Sequence, residues 1–413
     1  MKILNIKTNN RLSWFPEGRF ARLVGLSLGL SLLAAPAVSG QCLYEATFIQ
    51  GPMCTNGSPA TFGPSDLDEQ GNAAGGSSCF LASHATVWTG SGLAIPLPDS
   101  NESRTLALTD PDHVVGTDFQ AAQGFDVAAY WEFGVLQILG ALPGQLTSKA
   151  HGINLSQQIV GISSNSTTGD NGTFLWENGD FFVLSGFPIG ATAIANDIND
   201  DSQIVGEMGV SLITSNAFLW ENGIVTDLGK IPGGTSANAV AISSIGHVVG
   251  AGRIPMEGSI FGVPHAFFWD GDTMIDLGVL PGQVESSALD LNDADQIVGS
   301  SFLSGEGRFA VLWQDGQIYD LNELNVTDLG GVVLRRAVAI NNAGQILVSV
   351  NGAGILLTPI GSAPGDIDNN CFVNVSDLLL LLGEWGKTGS FADINEDGNV
   401  NVTDLLALLG SWG

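Results

Sequence analysis

From Leu43 to Ile360 the chain consists of short runs in which apolar and polar residues alternate, each bounded by Gly, Asn or Asp. Alternation with a period of two marks half-buried strands, and Asn-Gly or Asp-Gly between two such runs is the strongest short hairpin signal. The runs are copies of one another. Trp88, Trp131, Trp176, Trp220, Trp269 and Trp313 follow at intervals of 43, 45, 44, 49 and 44 residues. Around them the same phrases return. NAFLWENGIVTDLGKIPGG from Asn216 matches HAFFWDGDTMIDLGVLPGQ from His265, and DINDDSQIVG from Asp197 matches DLNDADQIVG from Asp290 and AINNAGQILV from Ala339. Each unit reads as four strands: an aromatic strand ending in Trp, a T-D-L-G strand, an A-x-x-I-N strand and an I-V-G strand. About 45 residues with four strands is the size of one propeller blade.

The I-N/I-V-G half occurs seven times, the first in degenerate form from Ser65, whereas the Trp-bearing strand occurs six times before GAGILLTPI takes its place. The chain therefore starts and stops within a unit. A ring closes in this way when an early strand pairs with a late one, leaving no open sheet edge. The fold predicted is mainly β: a propeller of seven four-stranded blades over 41–360. The strand within Gly352–Ile360 is expected to join a sheet begun by Tyr44–Gln50 and Ala60–Gly75. These repeats resemble the extracellular HAF-type repeat family, whose H-A-F triplet stands here as His265-Ala266-Phe267. The resemblance implies an extracellular, propeller-like protein and no particular reaction.

Past Ser362 the pattern changes to two copies of a loop followed by an apolar run, predicting a small α module over 361–413. In the second copy Asp393, Asn395, Asp397, Asn401 and Asp404 fall at loop positions one, three, five, nine and twelve. Asn399 offers its carbonyl at seven and Gly398 supplies the sharp turn at six. Hard oxygen donors at this spacing suit calcium. The matching set in the first copy is Asp366, Asp368, Asn370, Phe372 through its carbonyl, Asn374 and Asp377. Cys371 replaces the glycine there, so weaker binding is expected of that loop. Asp377 and Asp404 are expected to open helices over Leu378–Trp385 and Leu405–Trp412. The doubled loop-helix unit with Asp at position twelve resembles a type I dockerin. That resemblance implies a cohesin-like or cell-surface protein as partner, contacted through Val375-Ser376 and Val402-Thr403. The short connection Gly386–Ala392 departs from the family pattern.

The first forty residues carry Lys2, Lys7, Arg11, Arg19 and Arg22, then the apolar run Leu23–Ala35, then Ala35-Pro36-Ala37. This is the pattern of a secretory signal, with an apolar run too short for a bilayer span. A secreted or cell-surface protein with no membrane span after cleavage is expected. Net charge is −29 for the chain and −33 without residues 1–40. Nucleic acid, which needs clustered Lys and Arg, is thereby excluded as a partner. Cys42, Cys54, Cys79 and Cys371 lack metal-site spacing. Cys54 precedes one strand of the first unit and Cys79 follows the next, so an antiparallel hairpin predicts a Cys54–Cys79 disulfide.

No G-x-S-x-G, H-E-x-x-H or phosphate-binding loop is present. All five histidines stand on repeat columns, and structural roles are expected of them. The acidic runs Asp197–Asp201 and Asp290–Asp295 coincide with turns, where Asp is favoured. Arg104, Lys149 and Arg336 occupy one repeat column, with Arg335 beside the last. They form a candidate patch for an anionic ligand such as an acidic glycan, or else pair with acidic turns of neighbouring blades. The reading is a secreted, non-catalytic binding or scaffold protein; the alternative is a tethered glycoside hydrolase.

Overall fold

The structure, a computed structural model, describes residues 43–411 except 80–81, 100–101, 121–123, 212–213, 304–306, 328, 361–364, 368–372, 374 and 396. The segment 1–42, with the expected signal and Cys42, lies outside the described residues.

Seven antiparallel sheets form the blades. Six are continuous in sequence, over 61–96, 103–140, 147–183, 193–229, 236–278 and 285–320. The seventh takes three strands from 336–359 and its fourth from the N-terminal strand Leu43–Ile49, which pairs antiparallel with Ala353–Pro359. A short strand, Asn325–Thr327, runs parallel to Leu43–Glu45 at its outer edge. The first strands of successive blades contact one another, and the ring closes between Thr61–Leu67 and Arg336–Ile340. The closing strand thus pairs where expected for Tyr44–Ile49. The expectation for Ala60–Gly75 is corrected: those residues start blade one. The A-x-x-I-N run is the innermost strand of every blade, so a blade ends where T-D-L-G ends.

The recurring residues have local causes. In the Asn-Gly turns both residues have positive φ, as at Asn178 (54°) and Gly179 (93°) and at Asn222 (51°) and Gly223 (84°). That is the type I′ geometry whose twist matches the strands. The glycine of I-V-G is a packing requirement. A Cβ on Gly161 or Gly206 would stand 1.9 Å from the carbonyl oxygen of Lys149 or Ile194 on the inner strand. The tryptophans fill the space between blades. Trp131 is 1% exposed and donates its Nε1–H to the Pro98 carbonyl of the preceding blade linker at 2.5 Å; Trp220 does the same to Ser185 at 2.9 Å.

Cys54, in the stretch joining the N-terminal strand to blade one, is disulfide-bonded to Cys79 at the end of that blade's second strand. Closing a loop of this sequence separation, 25 residues, removes about 3 to 4 kcal/mol of unfolded-state entropy.

The C-terminal helices are α1 (Val375–Gly383) and α2 (Val402–Gly410). Both begin earlier than expected, because Asp377 and Asp404 sit in the first turn and do not open it. Val373, Leu381, Ala392, Val400 and Leu408 form their shared core. Among the described residues, no helix is long and apolar enough to cross a membrane.

Candidate functional sites

The second C-terminal loop brings carboxylate oxygens of Asp393, Asp397 and Asp404 within 4.8 Å of one another, a set that can hold a metal ion. The loop is shaped by its own hydrogen bonds. Asp393 accepts from the Asp397 and Gly398 N–H groups at 3.1 and 2.7 Å, and Gly398 has φ 93°, open to glycine without strain. Asp404 is fully buried and accepts from Asn395 N–H at 3.2 Å and Asn401 N–H at 2.8 Å, the second bond closing a capping box on α2. Asn401 caps the helix through Thr403 N–H. Asp397 is held below the usual carboxylate range, first by the Asn399 N–H. Three carboxylates at this spacing repel unless a cation lies among them, and an all-oxygen donor set of Asp and Asn fits calcium.

In the first loop the structure describes Asp366 and Asp377, both buried, with Ile367 N–H donating to Asp377 at 2.6 Å. Asp368, Asn370, Cys371, Phe372 and Asn374 lie outside the described residues. Val375 and Val402, expected at a partner contact, are 59% and 56% exposed. The Thr403 hydroxyl is instead engaged within the loop, with Asn395, Asp397 and Asn401. Sequence reading missed the outer face of the helices, where Leu379, Leu382, Leu406 and Leu409 are exposed. The signal was present in the uninterrupted leucine run, since a helix apolar all round has an apolar side left over once its core face is buried.

The second site is the central channel. Asp66, Asp197 and Asp290 line it, from blades one, four and six. Each follows a β-bulge in its inner strand, so Asp197 and Asp290 are strand residues and not the turn residues expected. Each carboxylate bridges two blades. Asp66 accepts from its neighbour Leu67 and from Leu108 of blade two, both at 2.9 Å. Asp197 accepts from Ile198 and Ile242, and Asp290 from Leu291 and Ile340. A second set of links explains I-N-x-x-x-Q. Asn199 donates to Gln203 Oε1 within its turn and to the Ser243 carbonyl of the next blade, and Asn341 donates to the Asp68 carbonyl across the closure. The acidic repeat columns thus serve the ring.

Burial pushes the Asp66 carboxyl up to about 7 and that of Asp197 up to about 6, and holds Asp290 well above the carboxylate range with help from the Asp66 charge. The unfolded chain loses these protons near pH 4, whereas the native state keeps them until pH 6 to 7. Between those limits the native state binds more protons, so stability falls as pH rises. The propeller's thermal midpoint is expected to drop across this window. Asp197→Ala, which strands the Ile198 and Ile242 amides, is expected to cost about 1–3 kcal/mol and to flatten the pH dependence. A midpoint that rises through the window would contradict this.

The five histidines each have a hydrogen-bond partner. His84, His113, His247 and His265 pair through Nδ1 with Asp99, Asp110, Asp295 and Asp276 at 2.5 to 3.0 Å, and His151 Nδ1 meets the Ala195 carbonyl. Arg104, Lys149 and Arg336 stand at equivalent positions of the inner strands of blades two, three and seven, before each bulge. Among the described residues none of them has an ion pair within 4.0 Å: Lys387, with Glu384, is the one Lys or Arg that does. Arg335, next to Arg336, has its buried Nε without a partner.

Residues 364–409 match the family described as the Dockerin type I domain. Such domains bind calcium and cohesins and occur in extracellular or cell-surface proteins. No curated protein matches the chain. Among solved structures it is similar to the β-propeller domain of the Trilobed protease from Pyrococcus furiosus, at 11% identity over 70% of this chain and 91% of that one, TM-score 0.41. It is also similar to a streptogramin B lyase, at 12% identity over 76% and 98%, TM-score 0.47. A third is YCF48 bound to D1 peptide, at 14% identity over 77% and 96%, TM-score 0.45. These likenesses carry no argument about activity.

Proposed function

We propose that this chain, a seven-bladed propeller followed by a type I dockerin module, is a secreted binding protein held to a cohesin-bearing partner through calcium. The carboxylate cluster of Asp393, Asp397 and Asp404 supports this most directly, because it lies within the matched module and fits the ion that such modules bind. Asn395 and Asn401 complete the oxygen set, with the carbonyl of Asn399. In the first loop Asp366, Asp368, Asn370, Phe372, Asn374 and Asp377 take the same roles. The apolar outer faces of α1 and α2 supply the contact area for the partner. Binding is favoured over glycoside hydrolysis by the buried channel carboxylates Asp66, Asp197 and Asp290, each of which already accepts one backbone N–H from its own blade and one from the next. A glycoside hydrolase needs one carboxyl free to protonate the leaving group and another free to act as nucleophile or base.

The test is retention of the full chain on an immobilised panel of type I cohesins. Calcium-dependent retention reversed by chelation is expected, and Leu406→Asp with Leu409→Asp should weaken it about 100-fold, as for the loss of interface anchors. Retention that is independent of calcium, or none on any cohesin, would remove the tethering role.

A further inference from the structure

We infer that the mouth of the propeller channel at blades seven, one, two and three binds an acidic sugar, a uronic acid unit of a glycan, through Arg104, Lys149 and Arg336. This goes beyond the tethering role to the ligand of the propeller itself.

Three observations carry it. First, the cations share one level of the channel wall. Blades seven, one, two and three are consecutive around the ring, and Arg336, Arg104 and Lys149 hold the same register position on their inner strands. Blade one places Gly63 at that position, where a Cβ would meet only the Gly76 carbonyl at 3.7 Å. Blade one thus adds no side chain at this level between Arg336 and Arg104. Second, the cations are available. Among the described residues none of the three has an ion pair within 4.0 Å or a side-chain hydrogen bond, whereas Lys387 is paired with Glu384, Arg253 donates to the Gly262 carbonyl and Arg308 lies over the Phe302 ring. Third, they open on a shaped cavity. Arg104 and Lys149 line one of about 390 Å³ that also presents Glu102, Asp126 and Phe119. It meets the channel cavity containing Arg336 at Leu106 and His151, which line both.

The lining selects the chemistry. Guanidinium groups and an ammonium hold a carboxylate, the arginines by a two-pronged fork. Glu102 and Asp126 are acceptors only, which suits the hydroxyl donors of a sugar and repels a ligand that is charge alone. Phe119 offers an apolar face for the C–H side of a pyranose ring. A simple inorganic anion would use the cations and gain nothing from the rest.

The experiment is calorimetric titration of the full chain with tri-galacturonate, with maltotriose and tri-glutamate as neutral and peptide controls. Binding of tri-galacturonate and of neither control is expected. Arg104→Gln with Lys149→Gln and Arg336→Gln should weaken it at least about tenfold, the effect of losing charge-assisted hydrogen bonds. Gly63→Glu, which removes no cation but places a carboxylate at the same register position between Arg336 and Arg104, should weaken it similarly. Unchanged thermal midpoints show that both variants fold. No binding by the wild type, undiminished binding by the triple variant, or equal binding of tri-glutamate would each overturn the inference. Cohesin retention, measured on the same variants, reports on the C-terminal module and should not change, so failure of either reading shows separately.

Discussion

Chelation of calcium from the intact chain is expected to raise amide hydrogen exchange across 393–408 by at least about 100-fold and to leave the propeller amides unchanged. The magnitude follows from linkage: an ion present at a hundred times its dissociation constant stabilises the state that binds it by about 2.7 kcal/mol. The module has little else to offset that loss. Its helices have nine residues each, too short to persist alone in water, and its fully shielded core is five side chains. Without the ion the carboxylates of Asp393, Asp397 and Asp404 repel across 4.8 Å or less. All three also organise backbone: Asp393 orders the turn at Gly398, Asp397 accepts from the Asn399 N–H, and Asp404 caps α2. Repulsion that displaces these carboxylates therefore loosens the loop and the helix together. Asp404→Ala should reproduce the effect at saturating calcium, since it removes a ligand and a cap in one change. Exchange that is equal with and without chelator would show that the ion contributes nothing to the module.

How much of this was legible in the sequence depends on which interactions repeat. The blade count could be read because six of the seven blades reuse the same solutions: a glycine against the inner strand, a tryptophan in the third strand, and a hairpin turn with positive-φ residues such as Asn-Gly. The second calcium loop could be read because its ligands are fixed by spacing within one short segment. What was not legible lay between segments. Asp197 and Asp290 looked like turn formers, and Asp66 was not singled out, because nothing local distinguishes an Asp in a turn from one that follows a bulge and reaches across to the next blade. The partners Leu108, Ile242 and Ile340 are more than forty residues away. The phase of blade one was misjudged for a related reason. Residues 43–49 and 61–67 are close in sequence but belong to different blades, and only the position of Ala353–Pro359 decides between them. The cation column was found by counting register, and among the described residues none of its three members has an ion pair within 4.0 Å.

Removal of the N-terminal strand is expected to open the ring, with a fall in thermal midpoint of roughly 10 °C or outright loss of soluble protein, given some 2–4 °C per kcal/mol for domains of this order of size or smaller. The strand pairs at six positions, from Tyr44 opposite Pro359 to Ile49 opposite Gly354. Tyr44 and Ile49 are each 1% exposed and Ala46 is 8% exposed. They enter two different clusters, Tyr44 with Leu312, Leu334 and Leu357, and Ile49 with Phe62, Trp88 and Leu356. One strand therefore seals blade seven against both of its neighbours. Burial of two such side chains contributes about 3–6 kcal/mol, before the backbone ladder is counted. Its loss also leaves Ala353–Pro359 as a bare edge, a template for association between chains. The disulfide does not substitute for the strand, because it joins Cys54 to blade one and leaves blade seven untouched. A chain beginning after Gln50 should therefore be destabilised even when oxidised, and a synthetic peptide of residues 43–50 should restore its midpoint by adding back as a strand, whereas a scrambled peptide should not. A truncated chain that melts with the intact protein, or one indifferent to the peptide, would show that the other six blades hold the ring without the closing strand.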